Sequence, residues 1–326
     1  MSRLLVVYMK SRYEIYHEHL QKDPSNPALK KFLEETPDGE HLLKLDEEHN
    51  KNLEKTLKAL DKAGVKYDAH YRADLCEELI KCYDQIMAVG GDGTFLEAAG
   101  YVRDKTPIIA VNTAVYFDEA LGKRRGSEGF YAAIDPFNFD KVFPLFLAGK
   151  LKTTALNRLL LEYESQKVDH LVMNEVSIGP EDPHSTMRYT IRTKDFEEDQ
   201  LSSGLIIATP QESWAMSYPG GIALPIEEKC FQAVTRANYN SRYDMELDIY
   251  KTDGLIVRHP NSIEVESKSR TATVSVDGKH KQVPFTFGTK IRVSVSEFPL
   301  NVIGFDNDKR LLYCSNLRKP IIKKIS

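Results

Sequence analysis

Cysteine and tryptophan are scarce in this chain. Its 326 residues include four cysteines, at positions 76, 82, 230 and 314, and one tryptophan, Trp214. No two cysteines form a C-x-x-C pair, which argues against a zinc site and against a dithiol redox centre; buried free thiols are the expectation. Long apolar runs are missing too. None approaches the roughly 20 residues of a membrane span, so no membrane partner is expected. Neither sign of charge dominates: 44 Lys and Arg stand against 48 Asp and Glu, a formal net charge of −4. The basic residues are scattered, so no strong field draws the chain to nucleic acid. The opening M-S-R-L-L-V-V-Y-M-K lacks the apolar core and cleavage site of a signal peptide. It reads as a first core strand, and the expected compartment is the cytoplasm. His17 and His19 flank Glu18, but alternate helical residues face different sides, so a solvated helix face is the reading there.

What is present is an ordinary globular composition, 41% apolar and 28% charged, with length enough for two domains. Leu4 to Tyr8 fits a buried strand. Leu42, Leu45, His49, Leu53, Leu57 and Leu60 recur every three or four residues, one face of a long helix that Gly64 would terminate. Strand signals at Val65–His70, Gln85–Val89 and Pro107–Val111 alternate with helix signals at Glu77–Tyr83 and Phe95–Val102. That alternation predicts an α/β domain with a parallel sheet. Thr113 to Gly129 is polar and irregular and reads as a surface loop. After a helix over Phe139–Leu147, strand signals dominate up to Val295, and Asp277-Gly278 marks a hairpin. The expected layout is an N-terminal parallel-sheet nucleotide domain (1–125), a larger, mostly antiparallel β domain for substrate and oligomerisation (126–303), and a C-terminal segment (304–326) returning to the first domain.

The run Gly90-Gly91-Asp92-Gly93-Thr94 falls at a strand-to-helix turn. Ligands bind open α/β sheets at the carboxyl ends of their strands. Glycine permits positive φ and close approach of a ligand to the backbone, and N–H groups at a helix start can hold phosphate. The competing reading is a tight turn with Asp92 capping the helix. Neither G-x-G-x-x-G nor G-K-[ST] is present.

G-G-D-G-T resembles the signature of the NAD kinase superfamily, which includes diacylglycerol and sphingosine kinases. Further segments narrow the resemblance. Lys10-Ser11-Arg12-Tyr13-Glu14 and His49-Asn50-Lys51-Asn52 resemble mitochondrial-type NAD kinases. Val111-Asn112-Thr113 with Ser127-Glu128-Gly129, then Asn174-Glu175-Val176, then Ser202-Ser203-Gly204-Leu205, resemble later family motifs in family order. The resemblance implies an α/β nucleotide domain followed by a β-rich domain, with substrate in the cleft between. The implied reaction moves the ATP γ-phosphoryl to the 2′-hydroxyl of the adenosine ribose of NAD(H). A lipid kinase of the same superfamily and a non-catalytic nucleotide-binding relative are the alternatives.

The resemblance implies the following roles. Asp92 accepts the hydroxyl proton. Gly91, Gly93, Thr94, Asn112, Asn174, Glu175, Ser203, Thr209, Ser213 and Ala215 bind NAD. Lys10, Arg12 and Gly90 bind ATP. No protein cage for a metal is expected; Mg²⁺ would come with ATP, keeping waters and phosphate ligands. The family's members commonly form homodimers or homotetramers. The segment Thr209-Pro210-Gln211-Glu212-Ser213-Trp214-Ala215-Met216-Ser217 departs from the family pattern T-P-T-G-S-T-A-Y-S. Glu212 replaces a glycine there; its charge is expected to repel a dinucleotide's phosphates, and its backbone to cost strain if the position needs positive φ. Trp214 would stack on a base or fill the core.

Overall fold

A computed structural model describes residues 3–213, 215, 222–237, 254–278, 281–308 and 311. One compact unit spans Met1–Thr154 and Asn301–Asp306; the other spans Ala155–Leu300 and Asn307–Ser326.

The first unit begins with β1 (Leu4–Tyr8), then α1 (Arg12–Lys22), α2 (Pro27–Glu35) and α3 (Pro37–Lys62). Next come β2 (Tyr67–Tyr71), α4 (Glu77–Ile80), β3 (Gln85–Gly90), α5 (Asp92–Tyr101) and β4 (Ile108–Asn112). A hairpin of β5 (Val115–Asp118) and β6 (Lys123–Gly126) precedes α6 (Phe139–Leu147). Strands β2, β1, β3 and β4 lie side by side in that order and pair parallel. Leu4 to Val7, Ile86 to Val89 and Ile108 to Val111 are all buried, the uniform burial of a parallel sheet covered on both faces. Helix α3 starts cleanly because Pro37 takes the first turn and Thr36 Oγ1 accepts from Gly39 N–H at 3.1 Å. It ends at Gly64, whose φ is +68°.

Three expectations fail in this unit. Residues 113–129 are not an irregular loop: β5 and β6 pair from Val115–Gly126 to Asp118–Lys123, with Val115 and Tyr116 buried. The polar sequence Lys123-Arg124-Arg125 carries no apolar alternation, so the period-2 signal is missing from one strand. Cys76 and Cys82 are exposed, not buried; burial holds for Cys230, whose thiol it pushes up to about 11. Cys314 lies outside the described residues. The unit also runs past residue 125, where the first domain was expected to end. Phe139, Phe143 and Phe146 of α6 share one core with Val6, Met87, Val89 and Val111 of the parallel sheet.

In the second unit the strands are β7 (Thr153–Leu156, crossing the boundary), β8 (Leu159–Tyr163), β9 (Gln166–Lys167), β10 (Glu175–Pro180), β11 (Met187–Arg192) and β12 (Glu197–Ser202). They continue as β13 (Leu205–Ala208), β14 (Cys230–Thr235), β15 (Leu255–Arg258), β16 (Ser262–Ser267), β17 (Ala272–Val276), β18 (Lys281–Pro284) and β19 (Lys290–Val295). β20 (Leu300–Ile303) then pairs parallel with β4, bringing the chain back to the first unit. Two antiparallel sheets result, ordered β15-β14-β13-β10-β17-β18 and β12-β11-β16-β19-β8-β9. Strand β16 alternates as the pattern requires, with Ile263 and Val265 inside and Glu264 and Glu266 on the outer face. Inward residues of both sheets, among them Ile178, Tyr189, Ile207, Phe231, Val265, Val274 and Val293, form one core, the arrangement of a β-sandwich. No helix among the described residues is long and apolar enough to cross a membrane.

Candidate functional site

The strand order of the first unit places its site. β1 lies between β2 and β3, so the chain leaves β1 toward one neighbour and later returns on its other side. Ligands gather at such a switch point, outside the carboxyl ends of the strands. A pocket of about 540 Å³ lies there. It is lined by Lys10 and Arg12 after β1, Arg72 after β2, Gly91 to Gly93 after β3, and Ala114 after β4.

Asp92 does not cap α5. Gly91 is the N-cap and Asp92 the first helical residue, so its side chain is free to turn across the turn. Its Oδ2 accepts from Phe130 N–H at 3.0 Å and its Oδ1 from Tyr131 N–H at 3.1 Å. One amide per oxygen fixes the plane of the carboxylate while leaving acceptor capacity on each oxygen. The amides themselves are buttressed by rings. Tyr131 stacks on Phe95 at 4.5 Å, and Phe305, on the returning segment, lies 5.9 Å from Phe130 and 6.0 Å from Tyr131.

The glycines work differently from the expectation. Gly90, Gly91 and Gly93 are not among the glycines with positive φ. Space is the reason for Gly90: a Cβ there would lie 2.3 Å from Thr94 Oγ1. Thr94 is fully buried, and its hydroxyl has no hydrogen-bond partner among the described residues.

Asn112 shapes the neighbouring loop. It is 4% exposed, its Nδ2 donates to Ser127 O at 2.9 Å, and its Oδ1 accepts from Ala114 N–H at 3.3 Å. Below it, His49 joins three elements. Its Nε2 lies 3.0 Å from Met9 O, so that nitrogen carries the proton, and its Nδ1 accepts from Thr113 Oγ1 at 2.7 Å. Thr113 N–H in turn donates to Gly90 O at 3.1 Å. Burial holds the His49 pKa below its ordinary value.

Lys10 is not a lone surface charge. Its Nζ sits 2.5 Å from Glu18 Oε1 and 5.6 Å from the centre of the Tyr71 ring, and the hydrogen bond to Glu18 raises its pKa. Arg12 is exposed at the start of α1. Sequence reasoning passed over Arg72 and His41 on the same walls. Only the strand order would have pointed to Arg72, which follows β2 as Lys10 follows β1.

In the second unit, Asn174 and Glu175 stand at the start of β10. Asn174 is half-buried and Glu175 is 4% exposed. Burial, with the charge of Asp277 beside it, pushes the Glu175 carboxyl up to about 7, against the Gly278 N–H that it accepts at 3.1 Å. Thr209 and Ser213 are fully buried, their hydroxyls turned inward. Thr209 Oγ1 donates to Met173 O at 2.9 Å; Ser213 Oγ donates to Pro210 O at 2.8 Å and accepts from Leu224 N–H at 2.8 Å. These side chains set the shape of the segment. Ser203, half-buried between β12 and β13, donates its N–H to Arg236 O at 2.8 Å. Ala215 N–H donates to Glu212 O at 2.9 Å. Glu212 is not among the non-glycine residues of positive φ, so the strain expected of it is absent. Trp214, Met216 and Ser217 lie outside the described residues.

Comparison with known proteins agrees with this geometry. Residues 12–117 match the model of the ATP-NAD kinase N-terminal domain. An NAD kinase of Sulfurisphaera tokodaii is 30% identical over 196 residues, 59% of this chain and 68% of that protein. A probable NADH kinase of Oryza sativa subsp. japonica is 25% identical over 272 residues, 79% of this chain and 82% of that protein. In fold, the crystal structure of an NAD kinase from Archaeoglobus fulgidus in complex with ATP matches with a TM-score of 0.61 at 21% identity, covering 96% of this chain and 97% of that one. A G-G-D-G turn at the carboxyl edge of a parallel sheet, a β-sandwich after it, and relatives that extend over both units lead to one conclusion: this chain belongs to the NAD kinase family.

Proposed function

We propose that the protein transfers the γ-phosphoryl group of ATP to the 2′-hydroxyl of the adenosine ribose of NAD or NADH. The observation that carries this reading is the Asp92 carboxylate, oriented by the Phe130 and Tyr131 amides on the wall of a pocket that Lys10 and Arg12 also line. A ribose hydroxyl needs in-line positioning, a proton acceptor and charge neutralisation on the phosphates. Asp92 takes the proton as the new O–P bond forms and the bond to the leaving ADP oxygen breaks. Lys10, Arg12 and the backbone at Gly90 hold the triphosphate. The nucleoside to be phosphorylated rests on the glycine-framed turn at Gly91, Gly93 and Thr94, behind which Asn112 fixes the loop. Asn174 and Glu175 hold the ribose and adenine of NAD(H), and Ser203, Thr209, Ser213 and Ala215 shape the surface around them.

The described residues contain no group of three or more His, Cys, Asp or Glu side chains placed for a metal. Magnesium enters this reading with ATP, where phosphate oxygens and water would hold it and it would neutralise phosphate charge. The Lys10–Glu14 and His49–Asn52 segments favour the mitochondrial-type branch of the family. A cytoplasmic enzyme that self-associates through its β-rich unit as a homodimer or homotetramer completes the proposal.

The test is turnover by the purified chain with Mg-ATP and NAD, NADH or diacylglycerol in turn. ADP release with formation of NADP or NADPH is expected. Phosphorylation of the lipid alone, or nucleotide binding without turnover, would overturn the reading.

A further inference from the structure

Three consecutive backbone amides at the N-E pair converge on one side chain 103 residues further along the chain. Asp277 Oδ1 accepts from Met173 N–H at 3.1 Å, Asn174 N–H at 2.6 Å and Glu175 N–H at 3.3 Å. Its Oδ2 lies 3.0 Å from Met173 N and 3.2 Å from His170 Nε2. The link runs both ways, since Asp277 N–H donates to Glu175 O at 3.0 Å and Gly278 N–H to Glu175 Oε1 at 3.1 Å. Successive N–H groups that point into one concavity form an anion site. Here the anion is the protein's own carboxylate, 3% exposed. Bonds from amides to a carboxylate are about twice as strong as neutral ones.

A hairpin needs no such carboxylate. Asp277 has φ +48°, a conformation that glycine or asparagine also takes. What the carboxylate adds is the orientation of residues 173–175. Asn174 is held at its N–H by Asp277 and at its C=O by Thr209 N–H, 2.9 Å away. The path of its backbone, and hence the origin of its side chain, follows from the clamp. We infer that Asp277 is a positioning residue for NAD(H), which acts by fixing the backbone that presents Asn174 and Glu175. The inference rests on the dinucleotide role proposed for that pair.

The experiment compares wild type with Asp277→Asn and His170→Gln, by kcat, by KM for NAD(H) and for ATP, and by calorimetric Kd for each nucleotide. Asparagine suits the same backbone conformation but removes the charge and turns an amide toward the Met173 N–H and His170. KM and Kd for NAD(H) are expected to rise about tenfold in Asp277→Asn, with those for ATP within twofold of wild type. His170→Gln keeps the Asp277 carboxylate but alters its side-chain partner, and the expected shift has the same selectivity and smaller size. It serves as the reporter if Asp277→Asn does not fold. Unchanged NAD(H) constants in both folded variants, or parallel loss of ATP and NAD(H) affinity, would overturn the inference and leave the proposed function standing. A wild-type protein that neither binds nor phosphorylates NAD(H) would remove the proposed function, and this inference with it.

Discussion

Asp92→Asn exchanges one acceptor oxygen for an amide, which then meets the N–H of Phe130 or Tyr131 donor to donor. The variant should therefore do two things. Phosphoryl transfer falls by about 10²–10⁴-fold as the proton acceptor is lost, and stability falls by about 1–3 kcal/mol as a partly buried amide loses its partner. Steady-state ADP release and urea denaturation read the two effects separately; full activity with unchanged stability would contradict both. Glu175 makes a second residue-scale prediction. Its carboxyl is held near 7, above the ordinary 4.5, so the folded state keeps a proton that the unfolded chain gives up. Its contribution to stability is whole below about pH 4.5 and is lost as pH rises toward 7, by on the order of 3 kcal/mol. Glu175→Gln should flatten that slope in denaturation curves measured between pH 4.5 and 7.5. The sequence displays Asp92 and Glu175 plainly, because glycine-framed aspartate and Asn-Glu are side-chain patterns. It does not display what holds Asp92. Backbone N–H groups belong to every residue but proline, so Phe130 and Tyr131 carry no mark of that task.

Helix α3 was legible in its leucine spacing and at its C-terminal end, since both the stripe and Gly64 act locally, but its start at Pro37 lies before the stripe and was not read. Its buried face is displaced from that stripe: Asn52 and Thr56 are inside with His49 and Leu60, while Leu42, Leu45, Leu53 and Leu57 are only half-buried. His49 is there because Met9 O and Thr113 Oγ1 meet it from two loops. Removing the imidazole leaves both without a partner, and His49→Ala should cost about 2–4 kcal/mol in urea denaturation. The pH dependence has the opposite sign to that of Glu175. Burial lowers the His49 pKa, so its contribution is present above the unfolded value of 6.5 and is lost as pH falls toward the folded value. The β12–β13 junction is a third element-level constraint. Gly204 has φ +132°, and a Cβ there would lie 2.1 Å from Ile178 O. Gly204→Ala should lower stability by about 2–4 kcal/mol, more than an ordinary surface substitution does. The missed β5–β6 hairpin shows the limit of pattern reading, since a short strand of charged residues is set by its partner and not by its own periodicity.

For the molecule as a whole, the order of strong strand and helix signals was enough to read the fold class. The switch from alternating elements to consecutive strands records the change from parallel sheet to antiparallel sandwich. The extent of each unit was less visible, because α6 joins the first core through aromatic contacts that composition does not assign to either side. Self-association has a structural opening in the sandwich, whose sheets end on β15, β18, β12 and β9. Among the described residues these strands pair on one side only, and edges of this kind invite a second chain. Light scattering at working concentration is expected to give the mass of a dimer or tetramer, and a monomer mass would count against the proposal. The order in which the chain is made adds a last consequence. Asp92 leaves the ribosome some two hundred residues before Phe305, which backs the two residues that orient it. A polypeptide that stops short of Phe305 thus carries the Asp92 carboxylate without this ring behind its two amides, and the orientation proposed for catalysis is complete only once Phe305 has been made.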